Sequence, residues 1–360
     1  MLVNNLMRNL NANMGRMDKL QNQLASGRKF AHISDDPIAL IYSQAARNKI
    51  ARLSHYQGAV GTAGDWLNQA ESGIMELQKA IGNAYESAVD AATDVKTDDD
   101  RRNIAATMAQ LRDHFVDTLN TTFGDKFVFG GYNTPGDPAM GFIADGVKPF
   151  VVKDLNDGNG PQLFYNGFSL SQFDGMDAQD YYDMIGPPPD YTLYSGSAAD
   201  LDTYIALKND ILSFDVGPGI EMPVTMNGIE LILNVSTDED GNKIMRNAFN
   251  VLQDLFEAAE YGTSPENTAA AISKIIKPLQ DSQNHLLTKT AEIGGRVRRL
   301  ELLEARYEQD AINYERMKSD AEDVEFDEVI MYQKMAEAVY QAALSVGARI
   351  IQPTLMDFLR

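Results

Sequence analysis

The sequence predicts an α+β protein: a long coiled-coil-like helical bundle formed by the N- and C-terminal segments, with a mostly β middle domain inserted between them. Three observations predict it. A heptad pattern of apolar residues runs through the first third of the chain. Glycine, proline and aromatic residues rise in the middle while the helical period fades. Apolar helical stripes then return toward the C-terminus.

The heptad segment is the most informative. One position reads Leu53, Val60, Leu67, Ile74, Ile81, Ala88 and Val95. Its partner position reads Tyr56, Ala63, Ala70, Leu77, Ala84 and Ala91. A register kept this long is that of a coiled coil, and residues 37 to 95 as one helix would extend roughly 90 Å. The alanines of the second position imply close packing. Gly58, Gly61 and Gly64 weaken the helix by about 1 kcal/mol each where exposed, so a bend or a close backbone contact is expected there.

Upstream, Leu6, Leu10, Met14, Met17, Leu20 and Leu24 recur every three or four residues and form one helical stripe. Gly27 suits a left-handed C-terminal cap. Asp36 followed by Pro37 marks the next helix start, an Asp cap with proline in the first turn. Thr97-Asp98-Asp99-Asp100 caps a third helix with the stripe Ile104, Met108, Leu111, Phe115, Leu119.

From about 124 to 245 the pattern changes. Lys126-Phe127-Val128-Phe129-Gly130-Gly131 reads as a strand entering a turn. Asn227-Gly228, between two apolar runs, predicts a tight hairpin. Asp240-Gly241-Asn242 predicts another turn, Pro187-Pro188-Pro189 a stiff loop, and 197 to 214 one intervening helix. The third zone is helical. Phe249, Leu252, Leu255 and Phe256 begin it, and a stripe from Ile293 through Leu300, Tyr307 and Tyr314 to Val324 continues it. A last helix carries Met335, Val339, Ala342, Val346 and Ile350 and is expected to stop near Pro353. Three domains are expected: terminal axial helices (1–36 with 326–360), a helical rod (37–123 with 246–325), and a β-rich outer domain (124–245). The two terminal stripes are the expected self-assembly and partner interface.

Composition narrows the function. Lys and Arg number 31 against 52 Asp and Glu, a formal charge of −21 with a pI near 4.5. That opposes a nucleic-acid partner, which needs a basic footprint, and an anionic membrane surface. Cysteine is absent, which excludes disulfides, thiolate metal sites and thiol nucleophiles. No apolar run is long enough to span a bilayer, and the N-terminus lacks the pattern of a cleaved secretory signal.

Chemistry-bearing constellations are few. His32, His55, His114 and His285 lie in different elements, with no metal-ligand spacing. Asp98 to Asp100 read as helix-capping acids. Aligning Gly241 with the glycine of a calcium loop puts Asn247 where a bidentate Glu is needed, so Asp238 to Asn242 read as a turn. Neither a phosphate loop nor a nucleophile elbow occurs. Arg296, Arg298 and Arg299 are followed by Glu301 and Glu304 at helical spacing, a solvated and paired face. No catalytic residue, cofactor or metal site is expected, and the chain reads as a non-enzyme.

The ends of the chain resemble the flagellin superfamily. Leu24-Ala25-Ser26-Gly27-Arg28-Lys29 and Ser34-Asp35-Asp36-Pro37 look like its N-terminal signature. Ile293-Gly294-Gly295-Arg296 resembles its bend before the C-terminal coiled helix, and Lys126 to Gly131 the point where rod meets variable domain. Tyr340-Gln341-Ala342-Ala343-Leu344 and Leu355-Met356-Asp357-Phe358-Leu359 look like its closing helix. Asp36-Pro37-Ile38-Ala39-Leu40 and the Leu-x-Asp-aromatic-Leu ending tilt the likeness from filament subunits toward junction subunits. Gly58, where an asparagine is expected, departs from the pattern. The resemblance implies a structural subunit of the bacterial flagellum joining hook to filament, extracellular, and exported by the flagellar type III apparatus without signal cleavage. It implies contacts with hook-associated protein 1, flagellin, copies of itself in a ring or helical layer, and a cytoplasmic export chaperone. A filament subunit is the alternative within the class. A surface- or glycan-binding middle domain, suggested by Phe164, Tyr165, Tyr181, Tyr182, Tyr191 and Tyr194, is a further one.

Overall fold

A computed structural model describes residues 2–30, 35–92, 97–124, 126–131, 148–154, 160–194, 196, 198–209, 211–261 and 265–357. Side chains are described throughout these stretches except at 2, 3, 98, 191, 199, 265, 266 and 349–357. The chain divides into two units. One combines residues 1–55 with 305–360, and the other holds residues 56–304.

In the second unit, burial follows the heptads. Val60, Leu67, Ile74, Ile81 and Ala88, with Ala63, Ala70, Leu77, Ala84 and Ala91, are all buried on α2 (Pro37–Ala91). Val95 lies outside the described residues. Of the bend or close backbone contact expected at Gly58, Gly61 and Gly64, the close contact is absent: a Cβ added at any of the three would meet nothing within 4 Å. Gly73 does take a close neighbour, because a Cβ there would lie 2.8 Å from Phe129 Cζ. Phe129 comes from the expected strand-and-turn segment, where β1 (Thr122–Phe123) pairs with β2 (Lys126–Phe127).

The third helix, α3 (Asp98–Leu119), starts in a capping box. The Thr97 hydroxyl accepts from the Asp100 backbone, and the Asp100 carboxylate accepts from the Thr97 backbone. α3 packs on α7 (Ala248–Tyr261), whose Phe249, Val251, Leu252 and Leu255 are buried. Around them sit small antiparallel sheets: β3 (Phe150–Asp154), β4 (Pro161–Tyr165) and β5 (Phe168–Ser169); β6 (Ser213–Gly217) with β7 (Ile220–Pro223); β8 (Leu233–Thr237) with β9 (Lys243–Asn247). Short helices α4 (Ala178–Ile185), α5 (Ala198–Asn209) and α6 (Gly228–Ile232) alternate with them.

Three local expectations are corrected. Asn227-Gly228 does not turn a hairpin; Asn227 caps α6, its Oδ1 accepting from the Ile229 backbone at 2.9 Å and its Nδ2 donating to the Leu207 carbonyl. A Cβ on Gly228 would lie 2.1 Å from Phe150 Cζ, so this glycine serves packing. Gly219 and Gly241 take the positive φ at the actual hairpins, +68° and +87°. The helix expected from 197 to 214 ends at Asn209, where β6 begins soon after. The last helix, α9 (Phe326–Asp357), runs past Pro353.

In the first unit, α1 (Leu2–Ser26) ends at Gly27, whose φ is +70° and whose N–H bonds the Gln23 carbonyl at 2.8 Å. The N–H groups of Ile38 and Ala39 donate to the Asp36 carboxylate at 3.1 and 3.0 Å, capping α2. α8 (Pro265–Glu322) ends in this unit and gives way to α9 within three residues, Asp323 to Glu325.

Candidate subunit interface

The chain ends meet. α1 packs on α9, and the Asn13 amide donates to the Ala336 carbonyl at 3.0 Å. Glycine at 347 permits the close approach, since a Cβ there would lie 2.8 Å from Leu6 Cδ2. Leu6, Leu10, Met17, Leu20 and Leu24 are half-buried, and Met14 is 53% exposed. On α9 the described residues of intermediate or full burial are Val329, Gln333, Ala336, Tyr340, Ala343 and Gly347. The stripe read from the sequence lies on the exposed side: Met335 (56%), Val339 (58%), Ala342 and Val346 (51%). The Ile350 side chain lies outside the described residues. The chain's own pairing therefore leaves the Met335, Val339 and Val346 side of α9 in solvent.

The breaks between helices are joined side by side. Arg28 and Asp323 form an antiparallel bridge, with Lys29 N–H to the Glu322 carbonyl at 2.6 Å and Val324 N–H to the Gly27 carbonyl at 3.1 Å. At this crossing Glu322 is only 3% exposed. Arg47 donates to its two carboxylate oxygens at 2.5 and 2.6 Å, the Ser43 hydroxyl donates to the same group, and Arg28 lies 3.8 Å away. The Arg47 hydrogen bonds, supported by Ser43 and by the charges of Arg47 and Arg28, outweigh burial and hold this carboxyl down at about 2.

Sequence reasoning missed this cluster, because Glu322 and Arg47 lie 275 residues apart. One signal was available. Stepping the heptad back from Leu53 reaches buried Ala46, and Ser43 follows three residues earlier, a hydroxyl on a buried stripe that must find a partner.

Residues 1–134 match the family model of the bacterial flagellin N-terminal helical region. Flagellar hook-associated protein 3 of Escherichia coli (strain K12) is 24% identical over 349 residues, which span 95% of this chain and 93% of that protein. Its Salmonella typhimurium counterpart is 25% identical over 90% of this chain and 87% of its own length. The N-terminal part of the chain is flagellin-like, and the likeness to hook-associated protein 3 covers at least nine-tenths of it. Flagellin of Clostridium tyrobutyricum matches at 27% identity over 34% of this chain and 32% of its own length. Among solved structures, a flagellar hook-associated protein from Vibrio parahaemolyticus superposes with a TM-score of 0.56 at 17% identity, covering 80% of this chain and all of that one. FlgL from Xanthomonas campestris gives 0.53 at 13% identity over 76% of this chain and 99% of its own. These superpositions establish a shared fold.

For a flagellin-like chain, the crowding of apolar side chains in the terminal unit is the informative feature. Ile38, Ile41 and Tyr42 at the start of α2 are 62–68% exposed, and Ile312, Met317, Phe326, Ile330 and Met331 join the α9 stripe. The terminal unit holds under a third of the chain and, among the described residues, most of the large exposed apolar side chains. Such concentration marks surface made to be covered.

Elsewhere the residues singled out from the sequence have structural duties. His285 bonds the Glu230 carbonyl at 2.6 Å, and burial lowers its pKa. His114 lies 3.2 Å from Glu76; His32 lies outside the described residues. Asp238 closes its turn by accepting from the Asp240 and Asn242 backbones. Arg298 pairs with Glu301 at 3.5 Å. Tyr165 and Tyr181 are buried, Tyr181 sharing a 2.8 Å hydroxyl contact with Tyr204; Phe164 and Tyr194 are half-buried and Tyr182 is exposed. Among the described residues, no group of three or more His, Cys, Asp or Glu is placed to hold a metal ion, and no helix is long and apolar enough to cross a membrane.

Proposed function

We propose that this chain is a structural subunit of the bacterial flagellum that joins hook to filament. The reading rests on the paired terminal helices with their open apolar side, in a chain similar over nearly its whole length to hook-associated protein 3. The likeness to flagellin covers about a third of the chain, which favours the junction over the filament. A relative of the same fold from Legionella pneumophila is described as a flagellar junction protein.

In this reading the protein works by packing rather than catalysis. Leu6, Leu10, Met14, Met17, Leu20 and Leu24, with Met335, Val339, Ala342, Val346 and Ile350, form the assembly surface of terminal axial helices (1–36 with 326–360). Residues 37–123 with 246–325 form a rod, and 124–245 an outer domain. Hook-associated protein 1 lies on one side and flagellin on the other, with copies of the chain between. The chain leaves the cell through the flagellar type III apparatus, with no cleaved signal, after a cytoplasmic chaperone has covered its terminal stripe. Immunogold labelling of assembled flagella tests this: a single band at the hook–filament boundary is expected. Label along the whole filament would make the chain a filament subunit, and no label on flagella would overturn the proposal.

A further inference from the structure

In the larger unit, β4, β5, the turn Ser171–Phe173 and α7 line a cleft of about 530 Å³, a size usual for small-molecule sites. Among the described residues its lining, Pro161 apart, is polar: four amides, two hydroxyls and three carboxylates. The four amides are all held by the oxygen. Gln162 Oε1 accepts from the Ser169 hydroxyl at 2.8 Å, and Asn250 Oδ1 from the Ser171 hydroxyl at 3.2 Å. Gln172 Oε1 accepts from the Tyr194 hydroxyl at 3.1 Å, and Gln253 Oε1 from the Arg112 guanidinium at 2.7 Å. An amide whose oxygen is engaged by the protein has its NH₂ left to give. Gln253 gives its own to Glu257 at 2.7 Å. The NH₂ groups of Gln172 and Asn250 meet no partner among the described residues.

The carboxylates supply the opposite function. Asp174 is used up, since its oxygens take the Arg246 guanidinium at 3.2 Å and the Asn247 backbone at 2.7 Å. Asp254 gives one oxygen to Arg246 at 3.1 Å and Glu257 gives one to Gln253, which leaves each with a second oxygen to accept. The cleft thus sets fixed donors, Gln172 and Asn250, beside fixed acceptors, Asp254 and Glu257. An apolar ligand would strand these groups without partners, and an anion would meet carboxylates. A hydroxyl both donates and accepts, so a ligand carrying several of them satisfies both sets.

We propose that this cleft binds a neutral saccharide, with Gln172 and Asn250 donating to its oxygens and Asp254 and Glu257 accepting from its hydroxyls. The inference stands apart from the junction reading, because every residue in it belongs to residues 56–304 and none to the terminal helices.

Saturation-transfer NMR on the full-length chain tests it, with glucose, galactose, mannose, N-acetylglucosamine and their β-linked disaccharides as probes, followed by isothermal titration. At least one probe should bind with a Kd of about 1 mM or tighter. Gln172→Ala with Asn250→Ala should weaken that binding about tenfold or more, the effect of lost hydrogen bonds. Glu257→Gln keeps the shape of the cleft and removes an acceptor, and it should weaken binding about tenfold as well; circular dichroism checks that each variant folds. A panel in which no sugar binds, or variants that fold and bind as well as the unaltered chain, would overturn the proposal. Spermidine or calcium binding where no sugar does would overturn it too, and would make the cleft a cation site. Loss of label at the hook–filament boundary would leave the saccharide site standing, and failure of the sugar panel would leave the junction reading standing.

Discussion

Glu322 is a carboxylate taken almost out of water and kept ionised by Arg47, Ser43 and Arg28, which reach it from the far end of the chain. Its pKa is depressed from the ordinary 4.5 to about 2. A depressed carboxyl adds stability that is fully present above the unfolded value and is lost as pH falls through the folded one. The crossing should therefore weaken as pH drops from about 4.5 to about 2, by on the order of 3 kcal/mol. Glu322→Gln should remove that part of the acid dependence. The measurement is hydrogen-exchange protection of residues 20–30 and 315–330 against pH; equal acid profiles for the two proteins would refute the role given to this carboxylate. Beyond Ser43 on its buried stripe, nothing local in the sequence disclosed the cluster, because Arg47 and Glu322 are separated by 275 residues.

The helices were legible because their signal is periodic and repeated. Heptads from Leu53 to Ala88 average out any one ambiguous residue, and the caps at Asp36, Thr97 and Gly27 each rest on chemistry that acts within four residues. The middle was less legible because contacts made there decide the outcome. Asn227-Gly228 has the composition of a hairpin turn, yet Phe150 and Leu207, distant in sequence, recruit it to start a helix. The contrast between glycines yields a prediction. Gly228→Ala should cost several kcal/mol, since the Phe150 ring must move. Gly61→Ala, in open space within a helix, should raise the melting temperature of the monomer, with a gain of up to about 1 kcal/mol. Thermal denaturation of both variants checks this, and a destabilised Gly61→Ala monomer would mean that the site is not open.

At the scale of the molecule, the apolar interior and the apolar exterior are unevenly shared between the two units. Among the described residues, most buried large apolar side chains belong to residues 56–304, and most exposed ones to the terminal unit. Leu20→Asp should accordingly disable assembly while leaving the larger unit folded, because a charge placed on the half-buried α1 stripe costs a few kcal/mol where helices pack and little elsewhere. Protease resistance of residues 56–304 together with loss of flagellar labelling is the expected outcome. Normal labelling would remove α1 from the interface.

The bond from Asn13 to Ala336 spans 323 residues, and the one from Ser43 to Glu322 spans 279. Because the helices at the two ends are each other's cover, the order of synthesis leaves the first of them waiting. A ribosome adds ~5–20 residues per second, so α1 emerges roughly 15–60 seconds before α9 exists to meet it. Through that interval Leu6, Leu10, Leu20 and Leu24 have no native partner, and closing so long a loop is slow once the partner arrives. The pairing of α1 with α9 is thus among the last contacts that the growing chain can make.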